Sequence, residues 1–143
     1  MAGTRQPSLL VAAAVALVVG LAVAVLWVAG AVATGSYLAE IAIVVGALVG
    51  LVVRQWSRAG GLGPMLAATL VALVTIGAGM LFAALAVYSA GEHVSFATAL
   101  GLLDRSFLPH LWDQIGALGA VLGVAGVVVA ALLTLRRDPA ASR

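Results

Sequence analysis

Apolar residues fill four long runs of this chain, at 9–34, 37–53, 64–88 and 111–135, with short polar stretches between them. A helix needs about 20 residues to cross the hydrocarbon core of a bilayer at about 1.5 Å per residue. The pattern therefore predicts an all-α membrane protein: a four-transmembrane-helix bundle in one domain covering residues 1–143. The second run is the shortest and would draw on Gln55 and Trp56 at the interface. Between the third and fourth runs the period changes. Ser95 is a suitable N-cap, and Phe96, Ala99, Leu100, Leu103 and Phe107 then recur at helical spacing. This predicts a short amphipathic helix over residues 95–107, lying in the membrane interface and ended by Pro109. Trp112 would then anchor the start of the fourth span among the headgroups.

The first run has to be weighed against a signal peptide, since Arg5 precedes it and Ala31-Val32-Ala33 resembles a cleavage site. A signal h-region runs to about 7–15 residues. This run is far longer, so a retained first span is expected.

Composition agrees with a lipid solvent. The 143 residues are 64% hydrophobic and 8% charged, against about 25% charged in soluble domains. With no cysteine, disulfides, thiolate nucleophiles and thiolate metal sites are excluded. With no lysine, Schiff-base chemistry and a P-loop go too. Abundant Ala, Val, Gly and Arg with no Lys or Asn matches the usage of a GC-rich bacterial genome.

Charge sets a direction. Arg5 precedes the first run, Arg54 and Arg58 lie between the second and third, and Arg136, Arg137 and Arg143 follow the fourth. In a four-span chain these segments share one side, and only Arg105 falls opposite, along with Glu40, Glu92, Asp104 and Asp113. Positive residues stay in the cytoplasm, so both termini are expected there, in a bacterial cytoplasmic membrane. Arg54, Arg58, Arg136 and Arg137 would set this topology and meet anionic headgroups. No nucleic-acid role is expected of them.

Within lipid, helices associate through small residues that let backbones approach. The fourth run carries Gly116, Gly119, Gly123 and Gly126 at spacings of three, four and three. The second has Gly46-x-x-x-Gly50, the first Ala16-x-x-x-Gly20-x-x-x-Ala24, and the third Gly79-x-x-x-Ala83. These predict packing seams, inside the bundle or toward another membrane helix.

Chemistry is sparse. The runs hold almost no ionisable group, which speaks against a carrier built on an intramembrane carboxylate. Glu40, near the start of the second run, reads as an acid favoured by the helix dipole. His93, His110 and Asp113, with Glu92, Asp104 and Glu40 nearby, could in principle hold a divalent metal, since His and carboxylate suit zinc. Their spacing matches no specific metal motif, and Asp113 also reads as a first-turn acid. No G-x-S-x-G elbow occurs, and Gly60-Gly61-x-Gly63 is a turn with no strand before it. No cofactor is expected.

The stretch from Tyr37-Leu-Ala-Glu40 through Gly46-Ala-Leu-Val-Gly50 to Arg54, the Gly-rich turn and the Ser95-Phe96-x-x-Ala99-Leu100 segment together resemble a loose group of small bacterial four-span membrane proteins of unknown function. Some of that group are joined to soluble zinc-ribbon modules, which these residues lack. The resemblance implies a bundle and supplies no activity. Three readings stay open: an accessory or scaffolding subunit packed against other membrane helices, a small homo-oligomeric transporter or channel with Thr75 as a possible lining group, and a metal-binding face outside the membrane.

Overall fold

A computed structural model describes residues 8–57, 61–101 and 107–135. All secondary structure among them is helical: α1 (Leu9–Thr34), α2 (Ile41–Ser57), α3 (Leu62–Gly91), α4 (Phe96–Gly101) and α5 (Phe107–Leu135). Three stretches are long and apolar enough to cross a membrane, namely α1, α3 and Ile115–Leu135 within α5; α2, with 17 residues, is shorter.

The ends of these helices have local causes. Ser8 caps α1, its hydroxyl accepting from the Val11 N–H, and Gly35 closes it in the left-handed conformation at φ 62°. The predicted start of α2 at Tyr37 is displaced. Leu38 takes a positive φ of 47°, and tight bonds from the N–H groups of Ile41, Ala42 and Ile43 to the carbonyls of Leu38, Ala39 and Glu40 wind the chain into a helix that begins at Ile41. Glu40 thus sits immediately before the first turn of α2.

The end of α3 runs past the expected Tyr88 to Gly91. His93 then takes φ 55°, and the Val94 N–H donates to the Ser89 carbonyl at 3.1 Å. That six-residue closure with a left-handed residue before its last member is the Schellman way of ending a helix.

α4 begins as expected, with the Ser95 hydroxyl accepting from the Thr98 N–H at 3.1 Å, and is described as far as Gly101. Leu103 lies outside the described residues. Pro109 does not end a helix; it falls in the first turn of α5, where a missing N–H costs nothing because that N–H has no intrahelical partner. The interruption comes instead at Gly116, whose φ 64° and ψ 169° split α5 into an arm, residues 107–115, and a shaft, residues 117–135.

The long helices pack with α1 beside α3 and α2 beside α5, and α2 and α3 meet across the middle. α1 and α5 do not touch among the described residues. Leu9 lies against Gly63 and Trp27 against Gly79, so α1 and α3 run the same way. Gly46 meets Gly126 and Gly50 meets Ala130, so α2 and α5 also run together, while Gly123 meets Met80 and Gly126 meets Ile76, which makes α3 and α5 antiparallel. One end of the molecule therefore gathers Ser8, Arg54 and Leu135. The other gathers the turn at residues 35–40, the end of α3, α4 and the arm of α5.

Side-chain size is partitioned in an unusual direction. The interior of α1 is Ala12, Ala16, Gly20, Ala24, Trp27 and Ala31, while its outward face presents Leu10, Val18, Leu21, Val25 and Leu26. α5 repeats this, with Gly123, Gly126 and Ala130 inside and Leu118, Val121, Val124 and Leu132 outside.

Candidate functional site

The seams carry the most defined geometry in the molecule. At the α2–α5 crossing, Gly46 faces the backbone of Gly126, and Gly126 in turn faces the backbone of Ala42. A Cβ at either position would collide with main chain that has no rotamer to yield. One turn on, a Cβ at Gly50 would come within 2.9 Å of the Ala130 Cα. Between α1 and α3 the fit is knob against gap: a Cβ at Gly20 would lie 2.6 Å from Thr75 Cγ2, and one at Gly79 2.7 Å from the Trp27 ring. Gly123 accommodates Met80, and Gly119 lies against Ile115 and Tyr37.

Gly20, Gly46, Gly50, Gly119, Gly123 and Gly126 are thus all interior contacts of the fold. Gly116 departs from the stripe it shares by spacing. No heavy atom would lie within 4 Å of its Cβ, and its backbone occupies a region open essentially to glycine alone. It is a break in the helix rather than a seam.

The polar groups inside are few and mostly satisfied locally. Thr75, fully buried, donates its hydroxyl to the Val71 carbonyl at 2.8 Å, and Thr134 donates to Ala131 at 2.7 Å. Both hydroxyls are spent on their own helices. Trp27, 1% exposed, donates from Nε1 to the Tyr37 carbonyl at 3.0 Å, and the two rings stand 6.0 Å apart. This bond ties the α1–α2 turn down onto α1. The Tyr37 hydroxyl is buried and has no hydrogen-bond partner among the described residues.

A second cluster sits at the loop end. Leu85 of α3 and Ala99 of α4 bury against each other with Leu81 and Tyr88 beside them, and Phe82 and Phe96 rings approach to 6.2 Å. Ala83, Ala84, Leu85 and Ala86 are consecutive and all buried. α3 is consequently covered around most of its circumference just beyond the exposed Phe82, a feature that no single-face pattern in the sequence signals.

The polar candidates among the described residues do not assemble. His93 and Glu92 are exposed at the end of α3, Asp113 is exposed on the arm, and Glu40 is exposed before α2. Among the described residues no three of His, Asp and Glu come together as a metal site would require. His110 lies on the arm of α5; Asp104 falls outside the described residues. Arg54 occupies the last turn of α2, where a cation complements the helix dipole. Arg58, Arg136 and Arg137 lie outside the described residues. Sequence reasoning missed Trp27, Tyr37 and Met80 as seam partners. Trp27 does carry a signal, since it falls three residues after Ala24 and four before Ala31, in step with the small-residue stripe of α1.

No protein-family model, curated protein or solved structure matches this chain.

Proposed function

We propose that the chain is a four-span integral membrane protein with both termini in the cytoplasm. On this reading it has no chemistry of its own and serves as an accessory or scaffolding subunit that packs against other membrane helices. The observation that carries this reading is the partition of side-chain size on α1 and α5, with Gly and Ala inside, Trp27 apart, and Leu and Val outside. In water the large apolar side chains would gain about 1.5–3 kcal/mol each by burial. In lipid that drive is absent and close backbone approach decides what goes inside. α2 spans about 26 Å at about 1.5 Å per residue, somewhat under the ~30 Å of a hydrocarbon core, and its Arg54 and exposed Trp56 suit the headgroup level. The scaffolding role draws support from α1, which among the described residues packs on α2 and α3 and leaves a long apolar face for lipid or another helix. The self-satisfied hydroxyls of Thr75 and Thr134 favour it over a transport path.

The test is gentle extraction of the tagged protein at native expression into nanodiscs, followed by mass spectrometry of the intact particle. A stoichiometric larger membrane complex is the expected result. A bare monomer would overturn the scaffolding role and leave the membrane assignment standing.

A further inference from the structure

The break at Gly116 has a physical consequence in a membrane. The arm ends and the shaft begins there, so up to four carbonyls on one side and four N–H groups on the other lose their helical partners. In hydrocarbon each such group costs several kcal/mol, and irregular backbone survives at that depth only inside protein or beside water. Gly116 is not enclosed: no heavy atom would lie within 4 Å of its Cβ. The break therefore belongs where water and headgroups reach it.

Two independent observations agree with that level. The shaft, residues 117–135, spans about 28 Å at about 1.5 Å per residue, close to the ~30 Å of a hydrocarbon core. The chain has three tryptophans; Trp27 is buried, and the two exposed ones lie at opposite ends of the α2–α5 pair. Trp56, 40% exposed, is at the Arg54 end, and Trp112, 62% exposed, is on the arm just beyond the break. Tryptophan gathers at both membrane–water interfaces because its ring is apolar and its N–H needs a partner.

We infer that Gly116 marks the membrane boundary at the loop end, and that the arm, residues 107–115, turns out of the bundle to lie on the phospholipid headgroup region with Trp112 as its anchor. The surface is continuous with the lipid-facing side of the shaft, which begins at Leu118 and Val121. Asp113, exposed beside Trp112, stays in the aqueous part of the interface. The inference rests on the membrane reading above and places the fourth span at residues 117–135 rather than 111–135.

The chain has no cysteine, so an introduced one is unique. Asp113→Cys, Val121→Cys and Glu92→Cys, each spin-labelled in phosphatidylcholine nanodiscs, are compared by collision with oxygen, enriched in hydrocarbon, and with a water-soluble nickel chelate. The expected ratio at 113 lies between a lipid value at 121 and a water value at 92. Adding Trp112→Ala to the 113 label should raise its nickel accessibility several-fold while leaving 121 unchanged. A 113 label as wet as 92, or as deep as 121, overturns the inference while a lipid value at 121 keeps the membrane reading. A water value at 121 overturns both.

Discussion

At the scale of single residues, the contrast among glycines is the sharpest property of the molecule. Gly126 and Gly77 both lie inside helices of the same chain. A Cβ at Gly126 meets the Ala42 backbone and, at 2.9 Å, the Ile76 side chain; a Cβ at Gly77 meets nothing within 4 Å. Backbone cannot rotate away, so Gly126→Ala must push α2 and α5 apart, and overpacking of this kind costs about 1–3 kcal/mol. Gly77→Ala adds no clash and removes the entropy cost of a mid-helix glycine, a gain of up to about 1 kcal/mol. Reversible unfolding in mixed micelles should show the two changes moving stability in opposite directions. Equal effects at both sites would mean that the close crossing is not present. Spacing alone cannot separate these two positions, because Gly77 sits two residues from Gly79, which does contact Trp27.

At the scale of elements, the sequence is readable where hydrophobicity is uniform and silent where a backbone conformation decides. α1 covers the same residues as the first apolar run because Ser8 and Gly35 bracket it with a recognisable cap and stop. The start of α2 moves from Tyr37 to Ile41 because Leu38, an ordinary helix former by type, adopts a left-handed φ. Gly116 shares the spacing of a packing stripe and breaks the helix instead; nothing in a glycine's identity says which it will do.

His93 has a backbone role that its residue type does not announce. A metal-ligand candidate by chemistry, it holds the left-handed position that closes α3, where glycine is the usual occupant. The left-handed conformation costs an L-residue about 1–2 kcal/mol. Glycine would recover that and lose roughly 0.4–1 kcal/mol through a freer unfolded chain. His93→Gly should therefore be neutral to stabilising by up to about 1.6 kcal/mol, and His93→Val, β-branched at positive φ, should be destabilising. Thermal melts of the two variants against the parent decide it; destabilisation by glycine would assign the imidazole a contact of its own.

At the scale of the whole molecule, the two ends differ in kind. The end that gathers Ser8, Arg54 and Leu135 is adjoined in sequence by Arg58, Arg136 and Arg137, while the other end carries Glu40, Glu92 and Asp113. Among the described residues, the close glycine contacts involve no ionised side chain. Orientation on the proposed reading is set by the arginines. Replacing Arg54, Arg58, Arg136 and Arg137 by Gln would leave Arg5 and Arg143 against Arg105, a bias cut from six to one down to two to one. Loop arginines close to span ends carry the positive-inside signal, and acids contribute little to it. The expected outcome is a mixed population in which a cysteine placed at Glu92 reacts with an impermeant maleimide on only part of the molecules in intact cells. The parent arginine set should react throughout. A quadruple variant that keeps a single orientation would mean that something other than charge, such as the bulk of α4 and the arm, fixes how the chain inserts.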